Sequence, residues 1–397
     1  MAAELLAGPN ARHLILNLEY EGKDITRDVW DFVESFRYVD RTLRDKMDEI
    51  SVKFHDVPGL WRSGWFPDQG AKFKATMKTR NWFKPGDDLK RECGSFEIDD
   101  LQTYGPPSIF IISAIAVGIT ASIRRQENTK AWESFTVRAM AEEISSNHGF
   151  ELKWYSNYNP TIDRFDQRSE SDLAFLQRVC EYAGLMLKIT SDAIVVFRGE
   201  EFDAEDPVFN FKRSFDGLVS WSFNANSADV YSACEVQYYD AGRKELVKYL
   251  YSPEGISGTI GGHRSSSGGT SSGGGLGTYN PNTGYVDAPA SGTKHKSREQ
   301  EIKEPNIGQV LKVNRRCMSM AEAQEVAKAA LRNTNMRQIK GTLSFMGHPI
   351  LYSGANCTVE GFGRFDTATW QIEEVTHDYS VWGGYKTDVS LRGILGY

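Results

Sequence analysis

Alternating apolar and polar side chains dominate the first hundred residues and predict strands. His13 to Tyr20 (HLILNLEY) reads as one strand, closed by a turn at Glu21-Gly22-Lys23-Asp24. Ile50 to His55 sets Val52 and Phe54 against Ser51 and Lys53. Lys72 to Thr79 sets Phe73, Ala75 and Met77 against Lys72, Lys74, Thr76 and Lys78. Both show the period of two that a half-buried strand requires. Cys93 to Ile98 adds a short strand, and Pro58-Gly59, Pro67 and Pro85-Gly86 punctuate these runs as turns. The run Ile109 to Val117 (IFIISAIAV) is apolar throughout. It is about half the ~20 residues that a membrane helix needs, so it reads as a buried strand.

The period changes between residues 129 and 198. Val137, Met140, Ala141 and Ile144 recur at helical spacing, and Gly149 can take the left-handed stop position. After an extended stretch, a second helix carries Leu173, Leu176, Cys180 and Ala183 on one face, with Val179 beside them. Its free amides can be capped by Ser169 with Asp172, or by Ser171 alone, and Gly184 ends it. Met186 to Thr190 and Ala193 to Phe197 then pair as a hairpin around Ser191-Asp192.

Strands resume at Val219 to Phe223 and Ser232 to Tyr239. Gly255 to Gly292 breaks the pattern: 38 residues with 12 Gly and 7 Ser, and almost no large apolar side chains. Such a stretch buries too little surface to offset the entropy of ordering it, and is expected to be a flexible loop between strands. A third helix follows, with Ser319 and Glu322 at capping-box spacing and Met320, Ala323, Val326, Ala327, Ala330 and Leu331 on its apolar face. Gly341 to Phe345, Cys357 to Gly361, Trp370 to His377 and Thr387 to Leu391 return to strands. No internal repeat at a solenoid period is visible.

Composition narrows the classes. At 397 residues, with 40% hydrophobic and 25% charged side chains, the chain has the make-up of a soluble globular protein of two or three domains. A net charge of -7 lacks the basic footprint of a generic nucleic-acid binder and suits a surface that repels DNA. The five cysteines (Cys93, Cys180, Cys234, Cys317, Cys357) are far apart and form no CxxC pair. Neither a zinc site nor a disulfide framework is expected; reduced thiols in a cytoplasmic setting are. The N-terminus, MAAELLAGPNARHL, lacks the basic region and apolar core of a secretory signal.

Candidate chemistry is sparse. The seven histidines (His13, His55, His148, His263, His295, His348, His377) show no HExxH and no ligand spacing on one helix. His377-Asp378 is a candidate acid–base pair, but a structural hydrogen-bonding role is the commoner use of such a residue. His148, before a helix stop, suits the helix C-terminal dipole. Asp99-Asp100, Glu142-Glu143 and Glu373-Glu374 are paired carboxylates. A glycosidase needs two carboxyls facing across about 5–9.5 Å, whereas neighbours on a strand point to opposite faces. These read as surface charge. Gly361-Phe362-Gly363 is a GxG without strand–turn–helix context, hence a turn. No GxSxG or Walker lysine is present. The nine tryptophans could form a sugar-binding surface, though packing is their commoner use. No catalytic, cofactor or metal residue is therefore assigned.

Four stretches resemble one family. YEGKDITRDVWDFVESFRYVD looks like the first strands of the late control protein D family, the baseplate hub proteins of contractile-tailed phages. CGSFEIDDLQTYGPP at Cys93 to Pro107 resembles its turn into the next strand. Its most specific part is similar to Trp132 through His148-Gly149-Phe150 and SESDLAFLQRVCEYAGL at 169–185. TWQIEEVTHDYSVWGGYKTDVSLRG at 369–393 resembles the closing strands. SESDLAFL-like text also occurs in the hub portion of type VI secretion VgrG proteins, and contractile tailocins carry similar hubs. The chain departs from VgrG in having no long β-helical spike after the hub, and from the shortest hubs in its Gly/Ser insertion.

The resemblance implies an α+β, mainly β fold of two β-barrel-like domains with helical insertions. On this reading 1–105 is the first barrel-like domain, 106–200 an α/β segment, and 201–397 the second barrel-like domain with the insertion at 255–292. It further implies a homotrimer forming a pseudo-sixfold ring, with a sixfold tail tube or tube-initiator protein on one face and a threefold central spike on the other. Baseplate wedge proteins and a tape-measure protein complete the expected partners; the insertion is open to a tape-measure protein, a wedge protein or neither. The implied setting is a virion tail baseplate assembled in the host cytoplasm. The competing expectations are a tail-associated peptidoglycan hydrolase, which needs a carboxylate pair or metal, and a carbohydrate-binding receptor protein.

Overall fold

A computed structural model describes residues 11–42, 47–116, 123–124, 126–190, 193–215, 217–226, 230–240, 245–253, 278–280, 285–287, 309–314, 317, 320–336 and 338–395. The architecture is mainly β with few helices, as expected. The first seven strands are β1 (His13–Tyr20), β2 (Lys23–Asp24), β3 (Val33–Arg41), β4 (Glu49–His55), β5 (Lys72–Arg80), β6 (Leu89–Tyr104) and β7 (Ile109–Ala116). An α/β stretch follows with β8 (Glu127–Thr136), the helix Val137–Asn147, β9 (Glu151–Tyr155), β10 (Thr161–Ser171), the helix Asp172–Tyr182, β11 (Met186–Ile189) and β12 (Ala193–Phe197). Then come the short helix Gly199–Asp203, β13 (Phe209–Lys212), β14 (Leu218–Ala225), β15 (Ala233–Asp240), β16 (Glu245–Tyr251), β17 (Thr278–Asn280), β18 (Tyr285–Asp287) and β19 (Val310–Asn314). The helix Met320–Asn335 precedes β20 (Ile339–Phe345), β21 (Asn356–Glu360), β22 (Thr369–Ser380) and β23 (Gly384–Gly393).

The described chain divides into two compact units, Met1–Ser227 with Met336–Gly396, and Ala228–Asn335 with Tyr397. The first unit is organised by one 13-stranded sheet in the order β14-β20-β23-β22-β3-β4-β7-β6-β5-β1-β2, with β21 joining β22 and β13 joining β21. This sheet curls around two separate cores. Leu16, Phe36, Val52, Phe73, Phe96 and Phe110, from six different strands, meet in the first. Phe211, Leu343, Cys357, Trp370, Ile372 and Leu391 meet in the second. Each half is thereby barrel-like: the alternation read from the sequence gives every strand one apolar face, and all those faces converge. The antiparallel pairing of β22 with β3, Glu374↔Arg41 through Ser380↔Ser35, makes the two halves one sheet.

The α/β stretch has a third core. The helix Val137–Asn147 starts where Thr136 Oγ1 accepts from Ala139 N (3.2 Å) and buries Val137, Met140, Ala141 and Ile144. Gly149 follows with φ +76°, the left-handed stop foreseen for it. The helix Asp172–Tyr182 is capped by Ser171, whose Oγ accepts from Ala174 N (3.2 Å). Of the two caps left open by the sequence, Ser171 is the one used; Ser169 instead sits at φ +45° in the bulge between β10 and β8. The hairpin β11–β12 pairs Met186↔Phe197 to Ile189↔Ile194, and β12 adds parallel to β9. The antiparallel ribbon β8–β10 was not anticipated as a pair of strands: its faces are polar and largely exposed. Likewise Cys93 to Ile98 proves to be the middle of the 16-residue β6.

The second unit packs the three-stranded sheet β16-β15-β19 against the helix Met320–Asn335. Cys234, Val236, Tyr249, Val326, Ala327 and Leu331 form its core, with the helical face as read from the sequence. Ser319, the expected cap, lies outside the described residues. So do Ser191-Asp192, Val117 and most of 255–292; within that stretch β17 and β18 form a three-residue antiparallel pair.

Candidate functional site

Where the halves and the α/β stretch meet, charged groups are buried rather than apolar ones. Asp40, on β3, is 5% exposed and receives four hydrogen bonds from three parts of the chain. Arg91 Nη2 of β6 donates at 2.8 Å and Lys188 Nζ of β11 at 3.1 Å. Ser353 donates both its backbone N (3.0 Å) and its Oγ (2.6 Å) from the β20–β21 connection. Burial alone would raise the carboxyl's pKa; the Lys188 and Arg91 charges and the Ser353 hydrogen bonds override it and hold Asp40 below its usual range. Asp48 lies beside the same lysine, 3.9 Å from Nζ, and accepts from Arg41 N (2.8 Å). Its carboxyl is pushed up to about 6 by burial, with the Asp40 charge adding to the shift.

Two more arginines stitch the same region. Arg41 bonds Glu374 across the β3–β22 junction (2.8 Å), Glu49 (2.9 Å) and the Met47 carbonyl (2.9 Å). Arg392, 1% exposed, donates to Asp203 (2.7 Å) and Gln371 (2.5 Å), while Asn356 Nδ2 donates to the carbonyls of Phe202 and Glu205. Broken ion pairs of this kind cost about 3–5 kcal/mol, because the partner charge stays buried. The arrangement fixes geometry; it offers no open reaction centre.

The candidate residues of the sequence are consumed by such contacts. His377 is fully buried, its Nδ1 2.8 Å from Tyr385 Oη and its ring stacked on Tyr38. Burial pushes it down to about 3, so it is neutral at any ordinary pH. Asp378 points to the other face and pairs with Arg37 (3.5 Å), so the two are not an acid–base dyad. His148 Nε2 lies 2.9 Å from Asp172 Oδ2 and ties the end of one helix to the start of the next. Glu373 and Glu374 contact different arginines, Arg392 (3.7 Å) and Arg41. Glu142 pairs with Arg138, Glu143 with Lys130 and Asp99 with Arg124. Gly361-Phe362-Gly363 is a turn: Asp366 caps the amides of Gly361 and Phe362. Trp61, Trp82, Trp132 and Trp370 are core residues, so the tryptophans do not form one sugar platform. All five cysteines are free and buried. Among the described residues no group of three or more His, Cys, Asp and Glu could hold a metal, and no helix is long and apolar enough to cross a membrane.

What sequence reasoning did not find is an apolar rim. At the end of the sheet where β22 turns into β23, Val381 and Trp382 stand clear of the surface, Trp382 at 90% exposure. Val381 N donates to Glu34 O (3.1 Å) and Gly383 N to Ser380 Oγ (2.9 Å), so the tip is held rather than loose. Beyond the same ends of β4 and β6, Val57, Phe66 and Tyr104 are also exposed. Nearby, Phe209, Phe211, Phe215, Phe345, Lys212 and His348 line an open groove of about 370 Å³. A run of apolar tip residues next to two glycines was the available signal, Val381-Trp382-Gly383-Gly384.

This two-halved β fold defines the class of protein that the chain resembles in space. The tail protein from Neisseria meningitidis MC58 has the fold, at 12% identity over 96% of both chains and a TM-score of 0.63. So does the prophage MuSo2 43 kDa tail protein from Shewanella oneidensis, at 11% identity over 95% of this chain and 97% of that one, TM-score 0.60. A chain of the Francisella PdpA-VgrG complex matches at 7% identity and TM-score 0.52, over 96% of this chain and 58% of its own. No protein-family model and no curated protein matches the sequence. At these identities the likeness establishes the fold.

Proposed function

We propose that the chain is a non-enzymatic structural component of a phage tail or related injection machine, and specifically a baseplate hub of the late control protein D type. The observation that carries this is the joining of two barrel-like halves into one sheet through β3 and β22. A chain with two similar halves becomes a pseudo-sixfold ring when three copies close around an axis. The sequence resemblance and the fold shared with tail proteins across nearly the whole chain support the same reading. On it, 1–105 together with β7 carries one barrel-like half, the strands of 201–397 outside the second unit carry the other, and the rest of 106–200 is the α/β insertion. One ring face meets the sixfold tube or its initiator, the other the threefold spike, and wedge and tape-measure proteins dock around it. A net charge of -7 suits a lumen that DNA passes without sticking.

Electron cryo-microscopy of tails from a producing strain tests this. The reading requires three copies of the chain in a ring at the tube's distal end. Another copy number, or a position along the shaft, would overturn it. Clustered Lys and Arg around the pore would sink the lumen claim alone.

A further inference from the structure

The held tip at Trp382 and the aromatic groove are complementary features of the same chain. An indole is the most exposed large apolar side chain described here, and a tight turn fixes it. Holding an anchor in place before binding removes much of the ordering cost that association would otherwise carry. The groove is walled by rings at close spacing: Phe211–Phe345 at 5.2 Å and Phe215–His348 at 6.2 Å between centroids. Burial pushes His348 down to about 4, so the wall carries no imidazolium at neutral pH. An enclosed cavity of about 150 Å³ accepts a benzene ring; the groove's volume of about 370 Å³ leaves room for an indole. Its floor ends in β13, which pairs with β21 and with no other described strand.

Register fixes where the two features lie. β20 pairs with β23 through Phe345↔Thr387, and β22 with β23 through Ser380↔Gly384. The Phe345 wall of the groove therefore lies toward the tip's end of β23, whereas β13 lies, through β21, beside the start of β22 at Trp370. Trp382 is too exposed to be filling its own groove. We infer that the Trp382 tip of one copy inserts into the Phe209–Phe215–Phe345 groove of the next copy. The contact joins two different patches; repeated head-to-tail around the axis of the ring proposed above, it links each copy to the next. One tryptophan buries about 150–250 Å², less than the ~800 Å² per partner of a stable interface. Trp382 is thus the central anchor, with Val381 and the neighbouring rim supplying area around it. The lipid alternative is disfavoured by the charges beside the tip: Lys53 and Arg37 are paired with Glu34 and Asp378 rather than left open to anionic headgroups. This inference names the self-contact of the ring proposed above and rests on that reading for its copy number.

Two variants of the full chain test it by native mass spectrometry. Trp382→Ser removes the tip and keeps the groove; Ser214→Trp fills the groove from its exposed lining and keeps the tip. Each alone should self-associate at least about tenfold more weakly than the native chain. Mixed one to one, they should recover a two-chain species and nothing larger, since one good tip meets one good groove and neither end continues. Circular dichroism and thermal melting of both variants verify folding, and Trp382→Ser changes a side chain without core contacts. Native assembly unmoved by Trp382→Ser overturns the contact and leaves the hub reading standing. Loss of assembly in both variants with no recovery on mixing overturns it too. A native chain that is monomeric at every concentration overturns the contact and removes support from the ring.

Discussion

The joint inside the first unit and the rim at its edge solve the same problem in opposite ways. Both are places where sheet segments must meet a partner. At the joint, Asp40, Arg91, Lys188 and Ser353 bring together strands and a loop that are far apart in sequence, and the Asp40 carboxylate is answered by both cations and the Ser353 hydroxyl. At the rim, Trp382, Val381 and Val57 stand largely exposed. Ion pairs satisfied at fixed geometry pin one arrangement while adding little net stability. Apolar surface left open adds nothing until something covers it. Specificity within the chain is thus set by charge, and stabilisation at its edge waits for assembly.

The comparison can be broken most severely at Asp40. Asp40→Ala leaves Arg91 and Lys188 buried with one fewer counter-charge, and should cost about 3–5 kcal/mol in urea unfolding. A loss below about 1 kcal/mol would mean that the joint is not what fixes the halves. Asp48→Asn should act the other way. Its folded pKa of about 6 lies above the usual carboxyl value near 3.9. The folded state therefore binds this proton more tightly than the unfolded chain, and the group's contribution improves as pH falls from about 7 to about 4. Asn, neutral throughout, should raise stability at pH 7.5 by roughly 2–3 kcal/mol and flatten that part of the pH profile. No gain at pH 7.5 would show that Lys188 already compensates the second carboxylate. Removing the helix cap by Ser171→Ala should cost about 1 kcal/mol, seen as a lower denaturation midpoint with the slope unchanged. Trp382→Ser should be the smallest of all in the monomer, within about 0.5 kcal/mol, and appear in self-association instead.

The same contrast explains what the sequence revealed and what it withheld. Local rules were legible. β1 matches its expected span, and both long helices of the α/β stretch end at the glycines foreseen for them, Gly149 and Gly184. Period and capping are local physics, so a few neighbouring residues settle them. The ribbon β8–β10 escaped because strands with polar faces carry no alternation; their pairing with each other, Ile162↔Phe135 and Phe165↔Trp132, is what makes them strands. The joint escaped for a stronger reason. Ser353 and Asp40 are 313 positions apart, and an isolated Asp in a strand looks like any surface charge until β22 is laid beside β3. His377-Asp378 misled in the opposite direction, since adjacency in sequence places the two on opposite faces of β22.

Native mass spectrometry of the purified full chain across a concentration series tests the central claim most directly. A dominant species of three chains, appearing as concentration rises, is what the ring requires. A chain that stays monomeric at every concentration, or that stops at a symmetric dimer, would contradict it.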